Sequence, residues 1–185
     1  MKQPFKADIE TIRKRAREKM LDGAVTEAYL ADREKVVDVL QEVLATEIVC
    51  TLRYRNHYYA ASGINAQAVA AEFREHAGEE QAHTDWIAER IAQLGGLPDF
   101  NPQGLLTRSH AEYSTGDSLD AMIREDLIAE RVAVETYSEI VRWLGDDDPT
   151  TRRLIEDILK QEEEHADDLA GLLETTRERL ASAAA

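Results

Sequence analysis

Apolar residues recur with a helical period over four long stretches of this chain, each bounded by a start or stop signal. The first runs from Asp32, an N-cap residue, to about Ser62 before Gly63, with the seam Val36, Leu40, Val43, Glu47, Cys50, Tyr54. The second spans about Ala66 to Leu94 before Gly95-Gly96, along Val69, Phe73, His76, Glu80, His83, Ile87 and Leu94. Asp117 or Ser118 caps the third, whose seam is Leu119, Ile123, Leu127, Glu130, Val134, Tyr137, Val141, Leu144 before a break at Gly145 to Pro149. The fourth extends from about Thr150 past Leu173, with Ile155, Ile158, Glu162, His165, Leu169 and Leu172 on one face. A shorter helix is expected around 7 to 21, ending near Gly23.

The connections decide the topology. Short links make helices one and two, and three and four, antiparallel neighbours, while residues 95 to 116 are long enough to cross the bundle. An all-α four-helix bundle with a long crossover between helices two and three is predicted over 32–176. A basic N-terminal arm with a short helix occupies 1–31, and 177–185 reads as a C-terminal tail.

Each seam carries a glutamate near its middle: Glu47, Glu80, Glu130 and Glu162. The second and fourth add a histidine three residues on, in Glu80-Gln81-Ala82-His83 and Glu162-Glu163-Glu164-His165. That spacing puts both groups on one helix face. Four carboxylates and two imidazoles inside a bundle are costly as unpaired charges, but supply enough O and N donors for two divalent metals. One Glu-x-x-His on an acidic helix arises readily by chance. Two copies in register with the seam, plus a seam Glu on each remaining helix, favour a dinuclear metal site over a buried polar network.

Other polar residues lie near the same seams. Tyr54 and Tyr137 each follow a ligand candidate by seven residues and Asp126 precedes Glu130 by four, so all three are candidates to hydrogen-bond ligands. Cys50 is expected to be a packing residue. His57 and His76 are expected to be structural or partly exposed, with His76 a candidate for a metal-access route, and His110 has no readable role.

Composition narrows the class. The 185 residues carry 22 Lys plus Arg and 37 Asp plus Glu, a net charge of -15, with only 9 Gly and 4 Pro, which excludes collagen-like and Pro/Gly-rich disordered chains. Residues 1 to 19 hold seven basic and three acidic side chains, so a basic arm precedes a strongly acidic body. A single Cys excludes an intrachain disulfide, and charges interrupt every apolar stretch before membrane-spanning length. A cytoplasmic location is therefore expected.

Over about residues 32 to 175 the chain resembles the bacterioferritin branch of the ferritin-like superfamily. Leu44-Ala45-Thr46-Glu47, Glu80-Gln81-Ala82-His83-Thr84-Asp85, Asp126-Leu127-Ile128-Ala129-Glu130 and Glu162-Glu163-Glu164-His165 carry the likeness. The resemblance implies a ferritin-like bundle with Glu80 and Glu162 bridging two irons, Glu47 and Glu130 as terminal ligands, and His83 and His165 binding one metal each. It further implies a ferroxidase that oxidises Fe(II) with oxygen or hydrogen peroxide and stores the product in a cage. Haem is not expected, because Gln81 stands where haem-binding relatives carry Met. The long N-terminal arm and the expanded 95–116 connection resemble the twelve-subunit Dps-like shells, and little beyond Ala170 reads as the short fifth helix of the twenty-four-subunit shells, so a homo-oligomer, a dodecamer, is expected.

Two other functions compete. A manganese catalase or other di-metal peroxidase would use the same donors, since ligand type alone does not separate Mn from Fe. A Dps-type DNA-protecting protein would use the basic arms against phosphate, which the acidic body opposes, so DNA binding is expected to be weak. A rubrerythrin-like peroxidase lacks its Cys-rich iron domain here. No membrane partner is expected.

Overall fold

The computed structural model describes residues 6–63 and 66–183, with side chains described through residue 176. Among the described residues six α-helices form: α1 Ile9–Glu18, α2 Arg33–Ala60, α3 Ala66–Gln93, α4 Leu105–Arg108, α5 Leu119–Leu144 and α6 Pro149–Ala183. Asp8, Asp32 and Ser118 cap α1, α2 and α5, each side chain accepting from a backbone N–H three residues on. Gly145, at φ 50°, ends α5, where its N–H bonds the Val141 carbonyl at 3.2 Å.

Helix α2 packs on α3 and α5 on α6, and the two pairs close into a bundle joined by the crossover. Its interior is layered. At one end Leu40, Val43, Ile87, Ile91, Ile140, Leu144, Ile155 and Ile158 form the larger apolar cluster; at the other, Tyr54, Phe73, Ile123, Leu169 and Leu173 form a second. The seam glutamates and histidines lie in sequence between these layers, so apolar packing excludes water on both sides. Such flanking holds polar side chains on rigid helices.

Several elements differ from the sequence-based expectation. The arm helix is Ile9–Glu18, followed by a separate 3₁₀ turn at Met20–Asp22 before Gly23. Within the connection from 95 to 116 the chain forms α4, which opens at Gly104 in the left-handed region (φ 89°). Four residues are too few for periodicity to register. On α5 the buried stripe is Met122, Ile123, Asp126, Ala129, Glu130, Ala133, Tyr137, Ile140 and Leu144; the expected Leu119, Leu127, Val134 and Val141 are only half-buried. Ala129 packs against Cys50 and Ala111, and Ala133 joins the larger apolar cluster. On α6, Leu173 is buried and Leu172 half-buried, and the helix runs on to Ala183 through residues read as tail.

The crossover is tied down by a buried ion pair. Arg53 Nε donates to Asp126 Oδ1 at 2.7 Å and its Nη1 to the Glu112 carbonyl at 2.9 Å, while His57 lies 2.8 Å from Asp126 Oδ2 and 3.0 Å from the Ser114 carbonyl. One α5 carboxylate thereby holds two α2 side chains that each grip the crossover backbone. At the crossover's end Gly116, at φ 62°, turns the chain so closely that a Cβ would sit 2.7 Å from Met122 Cγ.

Candidate metal centre

All six predicted ligands converge in mid-bundle. Glu47, Glu80, Glu130 and Glu162 are each 1% exposed, His83 0% and His165 3%. They divide into two groups whose ligand atoms lie within 4.8 Å of one another: Glu47, Glu80, His83, Glu162, and Glu80, Glu130, Glu162, His165. Glu80 and Glu162 belong to both groups, so two cations held there would share these carboxylates. His83 Nδ1 is 3.2 Å from Glu47, 3.4 Å from Glu80 and 3.0 Å from Glu162. His165 Nδ1 is 3.6 Å from Glu80, 3.8 Å from Glu130 and 3.5 Å from Glu162.

The opposite ring nitrogens face outward. His83 Nε2 meets Gln161 Oε1 at 3.2 Å and His165 Nε2 meets Glu79 Oε2 at 2.8 Å. Each acceptor directly precedes the shared glutamate of the other Glu-x-x-His helix. A ring that donates Nε2–H to such an acceptor turns the Nδ1 lone pair toward the centre. Glu79 and Gln161 escaped the sequence reading, although their matched position before each seam Glu was the available signal.

The tyrosines act across the bundle. Tyr54 donates to Glu130 and Tyr137 to Glu47, so each hydroxyl orients the terminal-ligand candidate of the other helix pair. Asp126 does not join them: it is engaged by Arg53 and His57 and touches no ligand candidate through a hydrogen bond. His57 and His76 are both buried, at 0% and 2% exposure. Cys50 packs with Ala111 and Ala129 and accepts from Arg53, while His110 Nε2 lies 3.3 Å from Glu42 and its backbone N–H donates to Thr46.

Electrostatics test whether this cluster suits metal. Burial, and then the charges of Glu80 and Glu162, push the Glu47 carboxyl well up; burial with Glu162 and Glu80 does the same to Glu130. Burial also opposes charge on Glu80, but contacts with Glu47, His165 and His83 outweigh it and hold that carboxyl well below the usual range. Burial disfavours charged His83 and His165, yet the carboxylates around them raise both well above the usual histidine value. Protons thus balance the cluster's charge, and divalent cations would displace them. Glu80 Oε1, Glu162 Oε1 and His165 Nδ1 are buried without a hydrogen-bond partner. The donors fit two divalent cations of the Fe(II) or Mn(II) kind.

Residues 37–179 match the Ferritin-like domain family. Among relatives, a bacterioferritin of Desulfovibrio desulfuricans is 28% identical over 134 residues, 72% of this chain and 71% of its own. A DNA protection during starvation protein of Pyrococcus furiosus is 31% identical over 140 residues, 72% of this chain and 74% of its own. The dodecameric thioferritin of Bacteroides fragilis, a bacterioferritin-related protein, superposes with a TM-score of 0.79 at 28% identity, covering 83% of this chain and 92% of that one. The D. desulfuricans bacterioferritin structure, described with a diiron site, gives 0.70 at 25% identity over 79% and 82% of the two chains. Four helices that bring a matched carboxylate and imidazole set to one centre, and a family match over most of the length, place the chain in the ferritin-like domain family.

Proposed function

We propose that this protein is a ferroxidase that takes up Fe(II), oxidises it at the intrasubunit centre of Glu47, Glu80, His83, Glu130, Glu162 and His165, and stores or detoxifies the ferric product inside a homo-oligomeric shell. The carrying observation is that two four-residue donor groups share Glu80 and Glu162, with one oxygen of each left without a hydrogen bond. Two iron ions held there supply one electron each to oxygen or peroxide. The chain's own part is to fix the metal pair: Tyr137 and Tyr54 orient the terminal carboxylates, Gln161 and Glu79 orient the imidazoles, and the apolar layers exclude water.

A single bundle holds a metal pair but no mineral, so storage requires a closed assembly. Large apolar side chains at Leu52, Tyr59, Ile128 and Trp143 lie exposed on the isolated chain and suit burial against further copies. The dodecameric state of the B. fragilis relative favours twelve. Iron storage and detoxification fit the bacterioferritin and starvation-protection relatives alike. In the arm, Arg15 and Lys19 both turn to Glu27, at 3.4 and 3.1 Å, which leaves less free positive charge for DNA.

Glu80→Ala combined with Glu162→Ala tests the reading. Rapid Fe(II) oxidation should be lost with helicity retained, since Ala favours helix. Oxidation at the wild-type rate would overturn the ferroxidase assignment, and a monomer or dimer by light scattering would remove the storage role.

A further inference from the structure

About one helical turn from the central cluster, α3 and α6 bring a second set of ligand atoms together. Glu72, His76 and Asp168 place a ring nitrogen and two carboxylate oxygens within 4.8 Å of one another. His76 is 2% exposed, and its Nε2 lies 3.5 Å from Glu72 Oε1 and 3.9 Å from Asp168 Oδ2, in hydrogen-bond contact with neither. The ring is held from its other side. Nδ1 sits 3.2 Å from the Tyr54 hydroxyl oxygen, the ring is edge-on to Tyr54 at 5.3 Å, and it stacks on His165 at 4.1 Å.

The hydrogen-bond inventory fixes which way the imidazole works. Tyr54 has one proton and donates it to Glu130, so its oxygen can only accept from His76. The His76 proton is therefore on Nδ1, and the lone pair of Nε2 points between two carboxylates. A lone pair and two anions directed at one point repel one another unless a cation occupies it. One nitrogen and two carboxylates suit the same divalent transition metals as the centre itself.

The site also has a direction. The Asp168 side chain is 57% exposed, Glu72 31% and His76 2%. Beyond His76, Glu79 lies against His165, and His76, Glu79 and His165 again bring ligand atoms within 4.8 Å. Glu79 is itself 43% exposed, so this line of donor groups borders solvent as far as the outer ring nitrogen of His165.

We propose that Glu72, His76 and Asp168 form a third divalent-cation site, distinct from the dinuclear centre, which takes a cation from solvent and hands it inward past Glu79 toward His165. The binding stands on these three residues alone; the handover rests on the dinuclear reading. Crystals of the full chain soaked in Co(II) test both by anomalous scattering. Wild type should show two central peaks and one between Glu72, His76 and Asp168. Glu72→Gln with Asp168→Asn should lose the outer peak and keep the central pair, whereas Glu80→Ala with Glu162→Ala should do the reverse. Filled central positions beside an empty outer one would overturn the third site. A filled outer position beside an empty centre would sink the dinuclear reading and leave the third site standing. In solution, stopped-flow Co(II) absorbance should show slower filling of the centre in Glu72→Gln with Asp168→Asn, and an unchanged rate would overturn the handover.

Discussion

The Tyr54 hydroxyl on α2 donates to the Glu130 carboxylate on α5, and Tyr137 on α5 returns the contact to Glu47 on α2. Each tyrosine lies seven residues after one terminal-ligand candidate and serves the other, so the two halves of the bundle brace each other's carboxylates. The arrangement repeats in the histidines, which take their outer contacts from Gln161 and Glu79 on opposite helices.

Removing either hydroxyl should cost stability, because a buried carboxyl group loses its donor. Tyr54→Phe and Tyr137→Phe are each expected to lower the unfolding free energy of the metal-free protein by about 1–3 kcal/mol. Chemical denaturation of metal-free protein measures it. Equal stability of wild type and both variants would show that the hydroxyls do not hold these carboxyls.

The histidine contacts break the symmetry. His165 meets the carboxylate of Glu79, while His83 meets the amide of Gln161. A carboxylate acceptor makes an imidazole a stronger base and a better ligand than an amide does. Glu79→Gln should therefore weaken the metal position beside His165 by about 10-fold or more, with the position beside His83 little changed. Isothermal titration with Co(II) reads the two affinities, and equal weakening of both positions would refute the assignment.

The ligand candidates were legible because a seam position is a strong constraint: Glu47, Glu80, Glu130 and Glu162 interrupt apolar faces that helical periodicity makes visible. The face of α5 was less so. Its apolar arc is wide, and the choice of Ala129 and Ala133 over Leu127 and Val134 follows from how closely the helices pack, which hydrophobicity does not encode. Asp126 was read toward the ligands for the same reason. Its true partners, Arg53 and His57, are 73 and 69 residues away, and pairing over such separations leaves no periodic trace.

That ion pair carries the third expectation. Arg53 and Asp126 are 1% and 0% exposed, so truncating one partner strands a buried charge. Asp126→Ala should destabilise the protein by about 3–5 kcal/mol. Limited proteolysis should then cut first around residues 109 to 116, where Arg53 and His57 hold the crossover backbone. A variant as stable and as resistant as wild type would show that the crossover is held by other contacts.

A second buried aspartate, Asp148, makes acid sensitivity predictable at the opposite end of the bundle. Its oxygens accept from Arg90 Nη2 at 2.9 and 3.1 Å, from the Thr151 N–H at 2.9 Å and from the Tyr29 hydroxyl at 2.9 Å, joining the arm to α3 and α6. Burial opposes its charge, but Thr151, Tyr29 and Arg90 outweigh that and lower its pKa below the usual carboxylate value. A lowered folded-state pKa contributes stability at pH values above the ordinary carboxylate pKa of about 4, and that contribution fades as pH falls through the folded value. Asp148→Asn, which keeps the shape and removes the charge, should be less stable than wild type by on the order of 2 kcal/mol at neutral pH. The gap should narrow as the pH drops below about 4, since protonated Asp148 then resembles the amide. Urea unfolding of both proteins across that range measures the gap directly, and a difference that stayed constant or widened in acid would mean that the Asp148 charge is not what ties the arm to the bundle.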